Sequence, residues 1–103
     1  MSADDETQLL AELENLLKKQ IELARRGSFS GLDKLADRCE QLVEKIKEAG
    51  LLERPEYKEQ REHLAGFYRD LQLLLLTQQN AAVEQISAVR KGRRTLSVYR
   101  GNV

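Results

Sequence analysis

Residues 55–92 read PEYKEQREHLAGFYRDLQLLLLTQQNAAVEQISAVRKG, and the length of this stretch decides the fold. Pro55 stands where a first helical residue loses nothing by lacking its N–H. From there Tyr57, Arg61, Leu64, Tyr68, Leu71, Leu75, Gln78, Ala82, Gln85 and Val89 keep a seven-residue alternation as far as Gly92. The one internal breaker is Gly66, which a long helix tolerates at about 1 kcal/mol relative to alanine. The spacing predicts a single helix over about 55–91, roughly 50 Å long at 1.5 Å per residue.

Two shorter helices precede it. Ser2 is placed to cap the first, with Asp4, Asp5 and Glu6 in the opening turn, where the helix dipole favours negative charge. Leu9, Leu13, Leu16, Gln20 and Leu23 follow steps of four and three, with Leu10, Leu17, Ile21 and Ala24 alongside, which makes a broad apolar face over about 3–26. Gly27 suits the left-handed cap that ends it. The short link 27–31 makes the next helix an antiparallel neighbour, with Ser30 as its expected N-cap and Asp33 completing a weak capping box. Leu32, Leu35, Ala36, Cys39, Leu42, Val43 and Ile46 then mark a helix over about 31–49 that Gly50 ends.

The expected fold is therefore all-α: one domain of 103 residues, an antiparallel three-helix bundle running up-down-up, followed by a basic tail over 92–103. Helices one and two reach roughly 35 Å and 28 Å, so the long third helix should project past the other two. Its last turns still carry Ala81, Ala82, Val83, Ile86 and Val89, which would have no intramolecular partner. An exposed contiguous apolar patch usually marks an interaction surface. The run Leu73, Leu74, Leu75, Leu76 points all round a helix, so part of it must meet a surface outside the bundle. Leu71, Leu74, Leu75, Gln78, Ala82, Ile86 and Val89 are the expected lining of a partner-binding groove, with the tail including Tyr99 ordering on binding or making a contact of its own with a further protein.

The charge balance is neutral, 17 Lys and Arg against 17 Asp and Glu, so no net field commits the chain to nucleic acid or an acidic membrane. Locally the head is acidic and the tail, with Arg90, Lys91, Arg93, Arg94 and Arg100, is basic. Phosphate contacts by those cations with Tyr99 stacking on a base would make a single-strand binder. Favourable cations at a helix C-terminus account for the same residues more simply. No stretch is apolar enough to span a bilayer, since residues 71–89 are interrupted by Gln72, Gln78, Gln79, Asn80, Glu84 and Gln85. The single Cys39 excludes an intramolecular disulfide and fits a reducing compartment, and the acidic N-terminus lacks the order of a signal peptide, so a cytoplasmic location is expected.

No residues assemble into catalytic chemistry, and a non-enzymatic protein without cofactor or metal is expected. His63 is the single histidine and sits among Glu59, Arg61 and Glu62, as on a solvated helix face. Cys39 falls on the apolar heptad face, where a buried inert thiol is expected. Glu40, Glu44 and Glu48 at four-residue steps form one solvated stripe with Arg38, Lys45 and Lys47 as counter-charges.

Two segments carry a resemblance to a known family. Ala24-Arg25-Arg26-Gly27-Ser28-Phe29-Ser30-Gly31-Leu32-Asp33-Lys34-Leu35 resembles the first inter-helix turn of the small flagellar type III export chaperones of the FlgN/FliT type. Residues 80–99, in which a Gln/Asn-bearing helix runs into Lys91-Gly92-Arg93-Arg94 and then a tyrosine, are similar to that family's C-terminal helix and its basic or glycine turn. The resemblance implies a cytoplasmic helical chaperone. It would hold an amphipathic helix of a late export substrate, a hook-associated or filament-cap subunit, soluble before secretion, by helix-in-groove recognition along the C-terminal half of helix three. The residues alone leave two alternatives: a homodimer or larger homo-oligomeric adaptor pairing the same patch with itself, or a basic-tailed nucleic-acid-binding regulator.

Overall fold

Ser2 does cap the first helix: in the computed structural model its hydroxyl accepts from the Asp5 amide at 3.2 Å, and α1 runs Ala3–Arg25. The structure describes residues 2–78 and 83–100, apart from the side chains of Ala3 and of residues 97–100. Helix α1 ends as its sequence predicts. Gly27 takes φ +71°, and the amides of Gly27 and Ser28 close back onto the carbonyls of Ala24 and Leu23. Helix α2 spans Leu32–Glu48, but its N-cap is Gly31 and no side chain caps it. The expected Ser30–Asp33 box gives way to a longer-range contact, because Asp33 Oδ1 accepts from Gln85 Nε2 at 3.2 Å. Two 3-10 turns, Leu51–Glu53 and Pro55–Tyr57, follow before α3 begins at Lys58. Leu51 and Leu52 in the first turn are buried and close one end of the core.

The predicted long third helix is two helices. Helix α3 covers Lys58–Thr77 and α4 covers Val83–Arg100, so four α-helices stand among the described residues where three were expected. At the break, Thr77 Oγ1 donates to the Leu74 carbonyl at 2.8 Å and Gln78 leaves helical geometry at φ −97°, ψ 123°. Gly92 does not stop a helix, and residues 92–100 are not a tail. They are the second half of α4.

Contacts fix the arrangement. Lys91 Nζ meets Glu40 Oε1 at 2.8 Å and Gln85 meets Asp33, so α4 runs parallel to α2. Arg93 Nη1 donates to Gln72 Oε1 at 2.9 Å while Gly92 backs onto Tyr68, so α4 runs antiparallel to α3. Glu6 meets Tyr57 and Lys18 stands over the Phe67 ring, which makes α3 parallel to α1. The helices form a four-sided bundle in which α1 touches α2 and α3, α4 closes against both of those, and the α2–α3 link crosses the diagonal. The long axis is 40 Å, and no element projects beyond the bundle among the described residues.

Magnitudes explain why the chain turns back. A straight helix would leave Leu71, Leu75, Val89 and Leu96 short of partners, whereas here they are 0%, 2%, 3% and 1% exposed. At about 1.5–3 kcal/mol per large apolar side chain, covering four of them is worth about 6 kcal/mol or more. Interrupting one helix forgoes a few backbone hydrogen bonds at about 1 kcal/mol net each. Burial wins.

The N-terminal end is held by polar contacts. Glu6 accepts from Arg54 Nη1 at 2.5 Å and from Tyr57 Oη at 2.9 Å, joining α1 to the second 3-10 turn. The Arg54 hydrogen bond, then that of Tyr57, holds the Glu6 carboxyl below its ordinary pKa of 4.5. Arg61, 5% exposed, donates to the Leu52 carbonyl and ties α3 to the first 3-10 turn, and its Nε has no hydrogen-bond partner among the described residues.

Two mid-helix glycines should respond oppositely to alanine. A Cβ at Gly92 would lie 2.5 Å from Cε1 and Cζ of Tyr68, whose ring is 3% exposed and has no room to swing aside. Gly92→Ala is expected to cost about 1–3 kcal/mol in urea unfolding. At Gly66 nothing lies within 4 Å of an added Cβ. Gly66→Ala should stabilise by about 0.5–1 kcal/mol. The Glu6 contribution is fully present above pH 4.5, its ordinary value, and drains away as pH falls through the lower folded value. Stability measured from pH 6 to pH 3 should fall less steeply in Glu6→Gln than in the wild type.

Candidate protein-interaction site

The fold-back relocates the surface at which a partner can dock. Of the expected groove residues, Leu71, Leu75 and Val89 belong to the core, at 0%, 2% and 3% exposure. This corrects the groove reading, whose premise was a projecting helix: α4 covers the stripe that such a helix would have left open. Leu74, Gln78 and Ile86 are half-buried at the edges of the α3–α4 pair. Ala81 and Ala82 lie outside the described residues, as does the side chain of Tyr99, which sits in the last turns of α4.

What stays open is Leu73 at 54%, Leu76 at 53% and Val83 at 74%, the large exposed apolar side chains among the described residues. They gather at one end of the bundle, on either side of the break between α3 and α4. The side they occupy follows from helix geometry. On α3, Arg69, Leu73 and Leu76 step by four and three, and Gln72 beside them reaches Arg93 of α4. Phe67, on the opposite flank, meets Lys18 of α1. On α4, Val83, Ile86, Arg90 and Arg93 step by three, four and three along the edge facing α3, while Gln85 and Lys91 mark the edge facing α2. The outer seam of the α3–α4 hairpin is therefore one surface, apolar at the hairpin end and cationic farther along. Sequence reading had the signal in the leucine run, which cannot all be covered. Which leucines face out depends on where α4 packs.

Cys39 is 3% exposed, accepts from Gln20 Nε2 at 3.0 Å, and burial pushes its thiol up to about 12, so it does not ionise near neutral pH. Burial raises the Tyr68 hydroxyl well above the ordinary phenol value. His63 is exposed on α3. Among the described residues no group of three His, Cys, Asp or Glu is arranged to hold a metal ion. The cleft between α2 and α4, lined by Ala36, Cys39, Tyr68, Ala88, Gly92 and Thr95, has an interior of about 20 Å³, room for a water and far below a small-molecule site. No helix among the described residues is long and apolar enough to cross a membrane. The cations expected to form a nucleic-acid-binding tail are arrayed on α4, where Lys91 pairs with Glu40 and Arg93 with Gln72.

Core and surface leucines should separate cleanly under substitution. Leu75→Glu is expected to unfold the isolated protein, because it places a charge at a fully enclosed site. Leu73→Glu and Leu76→Glu should leave urea stability within about 0.5 kcal/mol of wild type, as surface changes do. Compared with protein-family models, with curated proteins and with solved structures, the chain matches none.

Proposed function

We propose that this protein is a non-enzymatic, cytoplasmic helix-binding chaperone that takes an amphipathic helix of a protein partner on the outer seam of its α3–α4 hairpin. The observation that carries the reading is the exposure of Leu73, Leu76 and Val83 on either side of the α3–α4 break, with half-buried Ile86 at their edge. Two adjacent helices with apolar side chains along their seam give the surface that helix-in-groove recognition requires. The patch is small against the roughly 800 Å² per partner of a stable dimer, which favours a single helix over an obligate self-pairing surface.

The partner class comes from the resemblance of residues 24–35 to the flagellar export chaperones. A late export subunit, hook-associated or filament-cap, exposes amphipathic terminal helices before assembly, and a small bundle that covers one such helix keeps it from aggregating. The other segment of the resemblance is altered by the fold, since Lys91-Gly92-Arg93-Arg94 is helical and makes no turn.

Co-purification with the C-terminal helical segments of hook-associated and filament-cap subunits tests the proposal, with Leu73→Glu/Leu76→Glu as the paired variant. A complex weakened at least tenfold in the folded variant is the expected result. A complex that the variant leaves intact would place the contact elsewhere. No complex with any segment, together with concentration-dependent dimerisation in light scattering, would replace the chaperone reading with self-association.

A further inference from the structure

The seam on which the docking reading rests also carries a charge pattern. From Val83, Arg90 lies two turns along α4 and Arg94 one turn beyond, about 10 Å and 16 Å away at 1.5 Å per residue. Arg69 of α3 lies on the same side, one turn from Leu73. Arg90 and Arg94 are exposed and make no ion pair among the described residues, and Arg69 has only a 3.6 Å contact with its neighbour Asp70. Arg93, directed to Gln72, adds its charge to the same edge. Glu84 shares the stripe of Lys91 on the side of α4 toward α2, and Glu40 is joined to Lys91, while on α3 a single exposed acid, Glu62, follows the Arg69 stripe two turns farther from the hairpin end. A chain with no net charge thus presents one surface that is apolar at one end and, with Arg69, Arg90, Arg93 and Arg94 against Glu62, net cationic toward the other.

We infer that this surface selects an acidic amphipathic helix, bound with its apolar residues over Leu73, Leu76 and Val83 and its carboxylates over Arg69, Arg90 and Arg94. The register follows from the spacing. The carboxylates of the bound helix lie one to three turns from its apolar anchors, and its C-terminus, the negative end of its dipole, points toward the arginines. An anionic membrane surface fits less well. It would approach as a plane and meet Asp70, exposed on the outward face of α3 beside the seam, together with the arginines.

The inference rests on the docking reading and is separable from it. The probes are two fluorescein-labelled helical peptides of about 18 residues with identical apolar faces, one carrying glutamates and the other lysines in its C-terminal half. Anisotropy titrations against the full chain should give at least tenfold tighter binding of the glutamate peptide, with the preference shrinking as salt rises. Arg90→Glu/Arg94→Glu should reverse the preference without loss of fold, and Leu73→Glu/Leu76→Glu should abolish binding of both peptides. Equal binding of the two peptides would overturn charge selection and leave the docking reading standing. Binding of neither would overturn both. Sedimentation of the protein with phosphatidylserine vesicles, with no preference between the peptides, would assign the cationic surface to lipid and overturn the inference.

Discussion

The buried contact of the Tyr68 ring with the backbone of Gly92 sets the position of α4, and with it most of what distinguishes this bundle. The ring lies so near that a single added carbon on Gly92 would fall 2.5 Å from it. That approach brings α4 down onto α3, carries Arg93 to Gln72, and lets Gln85 and Lys91 reach Asp33 and Glu40 across α2. It also encloses Leu71, Leu75, Val89 and Leu96. The same packing that covers these residues turns Leu73 and Leu76 outward, because positions three and four apart share a face and those one or two apart do not. Core and candidate docking surface are two sides of one helix, assigned together by where α4 lies.

Much of this was legible in the sequence. The apolar periodicities of α1 and α2, the Ser2 cap, the Gly27 stop and the solvated face around His63 all follow from local rules, and local rules suffice where a helix ends in its own capping chemistry. The division of the third helix was not legible. Gln and Ala are ordinary helix formers, and the seven-residue alternation of Gln78, Ala82, Gln85 and Val89 runs through the break as if the helix continued. What decides against continuation is the burial that a fold-back allows, a property of the whole bundle. Gly92 misled for a related reason. Its lack of a side chain serves a close approach to Tyr68, a residue 24 positions away, and looks locally like a helix stop.

The groove failed on the same point. On a continuous third helix Leu71, Leu75 and Val89 have no further partner and stand open, and α4 is the partner that covers them. The leucine run contained the correct constraint, that four consecutive apolar residues cannot all be covered, and Leu73 and Leu76 satisfy it. The charges were likewise half-readable. The acidic head and basic C-terminal region are evident in the chain, but Glu6 is drawn to Arg54, Glu12 to Arg38 and Glu40 to Lys91 in the fold. The exposed pairs among these, Glu12 with Arg38 and Glu40 with Lys91, contribute little stability individually. Their larger consequence is what they leave over, the cations of Arg90 and Arg94 beside an apolar patch.

The fold-back of α4 along α3 is measured directly by the distance between spin labels at positions 62 and 94, in a chain whose Cys39 is replaced by alanine. In a hairpin the two positions lie within about two turns of each other along adjacent helices, which pack about 8–10 Å apart, so a distribution centred below about 25 Å, labels included, is predicted. In one continuous helix they would be separated by about 48 Å. A distribution centred near the longer distance would contradict the fold-back and return Leu71, Leu75 and Val89 to the surface.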